Sequence, residues 1–364
     1  MMKRTVFIIG LLLCAAMISA QTPKDVKFRF TEANDLTMTG RLFSDNPNPY
    51  HRVDTVRFKG FVGKENLQVR ETSGMACMFT TNSSVISVKT EYGDLEFPTN
   101  TNGQSARGYD LYIKREGKWV FAASAVNGDR NLDRNLVLIK DMDSTEKECL
   151  LYFPLFSEVR SVKIGVDENS SIKALPSPFR HRVAIFGSSY THGSSTSRSG
   201  MTYPAQFTRN TGIQLLSLGC SGNCKLQSYF ADILCAVDAD AFVFDSFSNP
   251  DAKMIEERLF PFIEKLQKAH PGKPLIFQQT IRRESRNFSL AKDAYEAEKI
   301  AMAEKLMKEA VKKYHDVYFI HPDASEPSHN ASVDGVHPDN YGYTLWEQSI
   351  ERQLVAILAK YGIK

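Results

Sequence analysis

Between residues 183 and 361 the sequence alternates short apolar runs with longer stretches in which apolar residues recur at helical spacing, and this alternation limits the fold more than any other feature. Short continuous apolar runs bounded by turn residues are typical of strands buried in a parallel sheet. Five runs predict strands: Val183–Phe186, Leu215–Leu218, Ala241–Phe244, Leu275–Phe277 and Val317–Ile320. Helices are predicted over Tyr203–Asn210, Lys253–Ala269, Ala291–Tyr314 and Gly342–Tyr361. This order of elements predicts an α/β fold, with a parallel sheet covered by helices on both faces.

Residues 27–166 follow a different pattern, in which several short runs alternate apolar and polar side chains as half-buried strands do. The predicted strands are Val53–Phe58, Val85–Thr90, Asp110–Ile113, Trp119–Ala122, Leu136–Ile139, Leu150–Phe153 and Val162–Val166. Turn-rich clusters such as Thr99–Gly103 separate them. Many short strands predict an all-β sandwich, for which we favour a jelly-roll-like topology. Pro176 and Pro178 mark the change of pattern, so the predicted domains are residues 21–175 and 176–364.

The first twenty residues predict a secretory signal peptide. Met1–Arg4 is basic, Val6–Ala16 is almost wholly apolar, and small residues precede a cleavage site after Ala20. Cys14 follows Leu13, whereas a lipid-attachment cysteine usually follows glycine or alanine, so a lipid anchor is not expected. No other run is apolar enough to cross a membrane. These features predict an exported protein, periplasmic or secreted, with no membrane span after cleavage.

Length and charge narrow the possible partners. A chain of 364 residues is long for one domain, and its formal net charge of +3 at neutral pH is nearly balanced. No basic tract with interleaved aromatic residues is present, so nucleic acid is not an expected partner. The sequence leaves the oligomeric state open.

Five cysteines remain after the predicted cleavage, and an odd number leaves at least one thiol free. They are Cys77, Cys149, Cys220, Cys224 and Cys235. Cys220 and Cys224 are close enough to pair or to form half a metal site, but we favour small buried residues beside strands, and the pairing stays open. His321, Asp323 and His329 could also be metal ligands, yet they lie in an irregular, proline-containing loop without a His-x-x-x-His helix. We therefore predict no metal and no organic cofactor.

Polar motifs follow four of the predicted strands. They are Gly187-Ser188-Ser189, Gly219–Asn223, Ser246–Asn249 and, after a loop, Asp334–His337. In a parallel sheet these loops emerge at the same edge, so residues far apart in sequence converge there. The predicted roles are those of acyl transfer: Ser189 as nucleophile, His337 as base and Asp334 as the acid that holds the imidazole tautomer. The backbone N–H groups of Ser189 and Gly222 and the side-chain amide of Asn249 could stabilise the oxyanion.

These four stretches resemble the four blocks of the SGNH hydrolases, also called the GDSL esterase/lipase superfamily. The residues that give the family its name correspond to Ser189, Gly222, Asn249 and His337. The region Ile185–Gly222, which includes Arg198–Ala205, is similar to a bacterial branch of the family in which Gly-Ser/Thr-Ser replaces Gly-Asp-Ser. The front half resembles the N-terminal accessory domain of that branch, whose Gly-x-Asp-Leu-Tyr signature corresponds to Gly108–Tyr112. The resemblance implies a flavodoxin-like three-layer α/β/α fold and hydrolysis of small O-acyl esters, often acetyl groups on sugars or polysaccharides.

The sequence departs from the family pattern at several positions. The third block usually reads Gly-x-Asn-Asp, whereas Phe247 and Pro250 stand for the glycine and the aspartate here. Ser188 replaces the usual aspartate of the first block, so two adjacent serines compete for the role of nucleophile, and Ser189 is chosen by alignment with the motif. His192 replaces an expected glutamine, and we expect it at the surface or against substrate rather than as a second base.

The motifs predict a serine esterase and the N-terminal segment predicts its export, while the family resemblance implies a carbohydrate O-deacetylase similar to acetylxylan esterases. The opposed hypothesis is a non-catalytic carbohydrate-binding or envelope protein on a decayed hydrolase fold, and a third is a thioesterase or lipase. Arg282 and Arg283 follow the fourth strand and are further candidates for substrate contact. The N-terminal domain could bind glycan, complete the rim of the active site or only stabilise its neighbour. The sequence does not identify the sugar, the acyl group or its position.

Overall fold

The computed structural model describes residues 26–128 and 132–364. The predicted signal peptide and Cys14 lie outside these residues. Within the two described ranges, no helix has both the length and the apolar character that crossing a lipid bilayer demands.

The N-terminal half consists of two antiparallel sheets packed face to face. Its strands are β1 (Phe28–Glu32), β2 (Thr37–Thr39), β3 (Ala76–Thr81), β4 (Ile86–Leu95), β5 (Tyr109–Arg115), β6 (Lys118–Ala125), β7 (Leu136–Ile139), β8 (Lys147–Tyr152), β9 (Ser157–Asp167) and β10 (Ile172–Ala174). One sheet has the order β1-β9-β4-β7, and the other β10-β3-β8-β5-β6, with β2 also paired to β3. Two short helices, α1 (Glu65–Gln68) and α2 (Gly103–Arg107), lie in the connections. The predicted N-terminal β domain is confirmed.

Strand β3 contributes to two cores because successive side chains point to opposite faces. Cys77 and Phe79 point between the two sheets, into the core of the sandwich. Ala76 and Met78 point the other way and pack in a second cluster with Ala205 of the C-terminal half. The sandwich therefore shares apolar surface with its neighbour along this strand.

The predicted strand Val53–Phe58 is wrong. The Asp54 side chain accepts the N–H of Val56 at 2.7 Å, and the Asp54 carbonyl accepts the N–H of Phe58 at 2.9 Å, so the segment is a turn. Val53 is buried against the core of the C-terminal half. Aspartate side chains compete with sheet hydrogen bonding by bonding to nearby backbone, and here that local bond prevails over the apolar–polar alternation.

The C-terminal half is built on a five-stranded parallel sheet with the order β12-β11-β13-β14-β15. Its strands are β11 (Arg182–Gly187), β12 (Gln214–Gly219), β13 (Ala241–Asp245), β14 (Leu275–Gln278) and β15 (Val317–Ile320). The helices are α3 (Ser189–His192), α4 (Tyr203–Thr211), α5 (Ser228–Ala236), α6 (Ala252–Ala269), α7 (Leu290–Lys313) and α8 (Asn340–Ala359). All five predicted strands and four predicted helices are present, whereas α3 and α5 were not predicted.

Two apolar clusters cover the two faces of this sheet. Phe186, Leu216 and Phe244 pack with side chains of α5, α6 and α7 on one face. Ile185 and Val243, their neighbours along the strands, point to the opposite face and pack with α4 and α8. The predicted three-layer α/β/α arrangement is confirmed.

A buried arginine fastens the N-terminal half to the edge of the parallel sheet. The Arg52 side chain is fully buried. It donates to the carbonyl oxygens of Gly219, at 2.9 Å, and Glu71, at 2.8 Å, and to that of Gln68. Gly219 is both the last residue of β12 and the first residue of the second polar motif, so this contact holds the start of that motif. The boundary between residues 175 and 176 stays a prediction, because this earlier segment packs on the C-terminal sheet.

The Gly-x-Asp-Leu-Tyr signature provides a second contact between the halves. Asp110 is fully buried and accepts hydrogen bonds from Arg198 Nη1, at 2.7 Å to its Oδ2, and from the N–H of Gly200 at 2.8 Å. The hydroxyl of Tyr112 accepts a further bond from Arg198 at 2.6 Å. A Cβ at Gly200 would lie only 2.6 Å from Asp110 Oδ2, so glycine is required for this approach. The signature thus binds a loop of the C-terminal half.

All five cysteines in the described part of the chain are free thiols. Cys220 and Cys224, which the sequence left open as a pair, are both fully buried, and Cys224 Sγ lies 3.2 Å from the Ser246 hydroxyl. Burial raises the pKa of Cys220 to about 12. A buried thiol that stays protonated is a poor nucleophile, so these cysteines are packing residues.

Candidate active site

The turn after β11 presents two adjacent serines in different environments. A Cβ at Gly187, the last residue of the strand, would collide with the Thr191 side chain, so the turn requires glycine. Ser188 caps the short helix α3 by accepting the N–H of Tyr190 at 3.2 Å. Its hydroxyl is fully buried and donates to Asp245 at 2.8 Å. Ser189 follows at the open side of the turn, 6% exposed, with its Oγ 2.9 Å from His337 Nε2.

The carboxylate of Asp245 binds this turn. Asp245 is the last residue of strand β13, and its carboxylate accepts hydrogen bonds from the Ser188 N–H at 3.2 Å, from Thr191 at 3.0 Å and from Ser248 at 3.0 Å. Burial raises its pKa to about 6, although these hydrogen bonds act in the opposite direction. Sequence reasoning missed Asp245. The signal was a carboxylate at the end of a buried strand, combined with a serine where the family has aspartate in the first block.

Asp334 and His337 form a close pair three residues apart. The imidazole Nδ1 lies 2.8 Å from Asp334 Oδ2, while Oδ1 accepts the backbone N–H groups of His337 at 2.7 Å and Val336 at 2.9 Å. Partial burial alone would raise the pKa of Asp334, but the hydrogen bonds from His337 and from the Asn100 amide hold it well below its usual range. An ionised carboxylate at Nδ1 favours the tautomer that leaves Nε2 free to accept a proton from Ser189.

The loop that carries His337 is held by residues from other segments. The hydroxyl of Tyr190, on α3, donates to the carbonyl of Val336 at 3.0 Å. The N–H of Ser285 donates to the carbonyl of Gly335 at 2.7 Å. These bonds position the loop against both the nucleophile turn and the segment after β14.

Arg283 contacts Tyr190, which holds the loop that carries His337. Its guanidinium donates to the Tyr190 hydroxyl at 2.9 Å, to Glu296 at 2.6 Å and to the carbonyl of Ser248 at 2.6 Å. These three bonds direct Arg283 to protein partners rather than outward, which differs from its expected position against substrate. Arg282, the other arginine singled out in the sequence, is exposed.

Asn100 of the N-terminal half also reaches this pair, and sequence reasoning missed it. Its side-chain nitrogen lies 3.0 Å from Asp334 Oδ2 and 3.1 Å from His337 Nδ1. The only signal in the sequence was a cluster of turn residues, which carries no information about a contact 234 positions away.

Gly222 and Asn249 lie on adjoining loops at the same edge of the sheet. The N–H of Asn223 donates to the carbonyl of Cys220 at 2.9 Å and closes a turn in which Gly222 has a φ of +75°. Glycine is favoured at this third position of a turn because it adopts positive φ without strain. The Asn249 Oδ1 accepts the N–H of Cys224 at 3.2 Å, which joins the two loops and leaves the amide nitrogen of Asn249 available.

The two residues that depart from the third-block pattern are buried in the protein. Phe247 is fully buried and its ring lies 5.9 Å from that of Phe277, centroid to centroid, so its side chain enters the core. Pro250 is likewise buried. Both substitutions are therefore accommodated on the inner side of the loop.

We expected His192 at the surface or against substrate, whereas its ring is fully buried. Its Nδ1 accepts the N–H of Ser221 at 3.3 Å and its Nε2 lies 2.8 Å from the carbonyl oxygen of Leu155, so the neighbours assign the ring proton to Nε2. Burial, together with the guanidinium of Arg52, lowers its pKa to about 3. His192 is thus a neutral residue that supports the loop carrying Gly222 from inside the protein.

The two histidines among the alternative metal ligands near β15 pair with different glutamates. His321 pairs with Glu304 at 2.8 Å and His329 pairs with Glu284 at 2.9 Å. Across residues 26–128 and 132–364, no group of three or more histidine, cysteine or acidic side chains is arranged to hold a metal ion.

Family models of known proteins match both halves of the chain. The family model of the GDSL-like lipase/acylhydrolase family matches residues 180–355, and a model described as the N-terminus of SGNH-hydrolase-type esterases matches residues 28–172. The crystal structure of a GDSL-like lipase from Bacteroides ovatus is 34% identical, with a TM-score of 0.86, and the alignment covers 93% of this chain and 99% of that one. No curated protein matches the sequence.

More distant structures share the fold. A salicylyl-acyltransferase from a tetracycline biosynthetic pathway is 18% identical with a TM-score of 0.71, over 93% of this chain and 99% of that one. A family two carbohydrate esterase from Clostridium thermocellum, solved with cellohexaose, is 12% identical with a TM-score of 0.57, over 80% and 94% of the two chains. The two matching family models and the Bacteroides structure together cover most of the chain and agree on its family. It belongs to the GDSL-like lipase/acylhydrolase family and is a carboxylic ester hydrolase of the SGNH type.

Proposed function

We propose that this protein is an exported serine esterase that removes small O-acyl groups, acetyl above all, from carbohydrates. The observation that carries the proposal is the chain of two contacts, 2.9 Å from Ser189 Oγ to His337 Nε2 and 2.8 Å from His337 Nδ1 to Asp334 Oδ2. Three side chains in this order can pass a proton between a hydroxyl and an imidazole while a carboxylate stabilises the imidazolium.

In the proposed reaction the Ser189 hydroxyl oxygen attacks the ester carbonyl while His337 Nε2 takes its proton. The tetrahedral intermediate then collapses, the bond to the sugar oxygen breaks, and His337 gives its proton to that oxygen. Water next attacks the acyl-Ser189 ester and loses a proton to His337. Release of the carboxylic acid returns the proton to Ser189. Asp334 stays ionised throughout, as its lowered pKa requires.

The oxyanion is proposed to be stabilised by three donors: the backbone N–H groups of Ser189 and Gly222 and the side-chain amide of Asn249. The contact of Asn249 Oδ1 with the Cys224 N–H supports this role because it orients the amide and leaves its nitrogen for the substrate. Donors fixed in advance at the place where charge develops lower the barrier without reorganisation during the reaction.

Carbohydrate esterases with a similar fold support the proposal that the substrate is a carbohydrate ester. Family two carbohydrate esterases from Clostridium thermocellum and Cellvibrio japonicus share the fold, and one was solved with cellohexaose. The opposed hypothesis of a decayed, non-catalytic protein depended on the substitutions at Phe247 and Pro250. Both side chains are buried, which weakens that hypothesis because neither extends outward from the loop that carries Asn249.

The decisive experiment compares hydrolysis of 4-nitrophenyl acetate by the wild type, Ser189→Ala and Ser188→Ala. We expect Ser189→Ala to lose at least about 10³-fold in kcat, because it removes the hydroxyl that lies 2.9 Å from His337 Nε2. Ser188→Ala should keep Ser189-dependent hydrolysis but unfold at lower temperature, since it loses the cap of α3 and the bond to Asp245. Equal rates for the wild type and Ser189→Ala would remove the esterase proposal.

Two further measurements test the finer parts of the proposal. Acetate release from a panel of acetylated glycans should exceed hydrolysis of esters with long acyl chains, and the reverse order would favour the lipase or thioesterase alternative. N-terminal sequencing of the protein recovered from outside the cytoplasm should begin at Gln21, and an intact Met1 would contradict export by signal cleavage.

A further inference from the structure

A loop of the N-terminal half touches the two residues that act on the proposed nucleophile. Asn100 Nδ2 lies 3.0 Å from Asp334 Oδ2, the same oxygen that lies 2.8 Å from His337 Nδ1. The Asn100 Oδ1 accepts the Thr101 hydroxyl at 3.3 Å, which agrees with an amide nitrogen directed at the carboxylate. Because His337 Nδ1 uses its own proton for Asp334, its 3.1 Å contact with the Asn100 nitrogen is a packing contact.

We propose that Asn100 is a positioning residue for the Asp334–His337 pair, so that the N-terminal half completes the active site rather than only accompanying it. This inference rests on the proposed esterase function, in which His337 acts as the base. Asn100 acts through Asp334, by donating a hydrogen bond to the same carboxylate oxygen that accepts the hydrogen bond from the imidazole Nδ1–H.

Backbone and neighbouring contacts hold the loop in place without the Asn100 side chain. The Ser195 hydroxyl donates to the carbonyl of Asn100 at 2.9 Å, and the Thr101 hydroxyl accepts the Ser195 N–H at 3.0 Å. The Asn102 side chain donates to the carbonyl of Ser197 at 3.1 Å. A substitution of the Asn100 side chain should therefore leave the loop where it is.

The hydrogen bond from Asn100 changes how strongly the Asp334 carboxylate acts on His337. A donor on Asp334 Oδ2 fixes the direction of the carboxylate and neutralises part of its charge. Without that donor, more of the negative charge acts on the imidazolium and stabilises it. The acid limb of the kcat/KM profile, which reports protonation of the base in the free enzyme, should then move to higher pH.

The test uses Asn100→Leu, which keeps the side-chain volume and removes the donor, and Thr99→Ala as a control at an exposed neighbouring position. With 4-nitrophenyl acetate, Asn100→Leu should lose about tenfold or more in kcat with little change in KM, and its acid limb should move to higher pH. Thr99→Ala should stay within about twofold of the wild type with an unmoved limb. Wild-type kcat and an unmoved limb in Asn100→Leu would overturn the proposal.

A second measurement separates this proposal from the esterase proposal. If the wild type shows no Ser189-dependent hydrolysis, the esterase proposal fails, but NMR titration of the His337 ring still tests the role of Asn100. The midpoint should lie at higher pH in Asn100→Leu than in the wild type, and equal midpoints would overturn the inference. Asn100→Ala, with the same two readouts, replaces Asn100→Leu if the larger apolar side chain prevents folding.

Discussion

The two sides of the candidate active site are built in different ways. The side of the proposed nucleophile Ser189, here the nucleophile side, is one continuous segment, Gly187–Gly193, whose side chains are buried and which Asp245 contacts from the neighbouring strand. The side of the proposed base His337, here the base side, is a more exposed loop, residues 332–338, which is held by contacts from separate segments. One of those contacts, from Asn100, comes from the other half of the molecule.

This difference predicts how the two sides respond to change. Removing a buried contact on the nucleophile side leaves polar groups without partners, so both stability and activity should fall. A contact on the exposed base side stabilises little, because water can replace it, but it sets the direction of the imidazole. Variants of the base side should therefore lose activity while the free energy of unfolding stays nearly constant.

The largest loss of kcat is expected for Asp334→Asn, a variant of the base side. An amide in place of the carboxylate no longer stabilises the imidazolium and favours the wrong tautomer of His337, so kcat should fall by about 10³–10⁴-fold. The melting temperature should change little, since Asp334 is partly exposed.

Asp323→Asn is the matched control, because Asp323 is in the same connection between β15 and α8 and its carboxylate accepts hydrogen bonds from the nearby Ser325, from the N–H at 2.9 Å and from the hydroxyl at 2.6 Å. Its kcat should stay within about twofold of the wild type. Steady-state kinetics and thermal unfolding of both variants decide the point. A large loss of stability in Asp334→Asn would contradict the distinction between the two sides.

The same distinction explains what the sequence could and could not predict. The strand and the glycine after it located a pair of adjacent serines, and resemblance to the family motif was needed to choose Ser189 over Ser188. His337 was predicted from its place after the last strand of a parallel sheet, which is a rule of topology. Asn100 could not be found in this way, because its role depends on how two separately folded sheets dock, which no local pattern encodes.

Burial was the other property that the sequence left undetermined. His192 follows the nucleophile by three positions and looks like a polar loop residue, yet it lies inside the protein between Leu155 and Ser221. Asp245 ends an apolar strand, and only its four hydroxyl and amide donors explain why a carboxylate is placed there. Partners that are distant in sequence decide whether a polar side chain is buried.

The next largest effect is expected from Asn249, which joins the two loops of the proposed oxyanion hole. Loss of a single oxyanion donor typically costs about 10²–10³-fold in kcat. Asn249→Ala should show this loss, and Asn249→Asp should lose a similar factor although it keeps an oxygen for the Cys224 N–H. The two variants together separate the donor from the loop contact. Near-wild-type kcat in Asn249→Asp would assign the residue to loop structure alone.

Asp245→Ala tests the nucleophile side, with an effect on stability rather than on kcat alone. The variant leaves the N–H of Ser188 buried without an acceptor, which should lower the free energy of unfolding by about 1–3 kcal/mol. Asp245→Asn is the matched control, because its amide oxygen can still accept from Ser188 while its nitrogen donates to Ser248. Urea unfolding of both variants measures the difference. Equal stability of Asp245→Ala and the wild type would show that the nucleophile turn does not depend on this carboxylate.

The smallest expected effect concerns Glu71, whose buried carboxyl lies 3.1 Å from His192 beneath the nucleophile side. Burial raises its pKa to about 8, although Arg52 acts in the opposite direction. A raised pKa means that the folded protein holds this proton more tightly than the unfolded chain does, so the associated stability is present at low pH and is lost as pH rises through about 8. Glu71→Gln keeps the shape without titrating. Its melting temperature should therefore fall less than that of the wild type between pH 6 and 9, by about 2–4 °C for each kcal/mol removed. Glu91→Gln, at an exposed position, should retain the wild-type slope, and an unchanged slope in Glu71→Gln would show that this carboxyl does not link stability to pH.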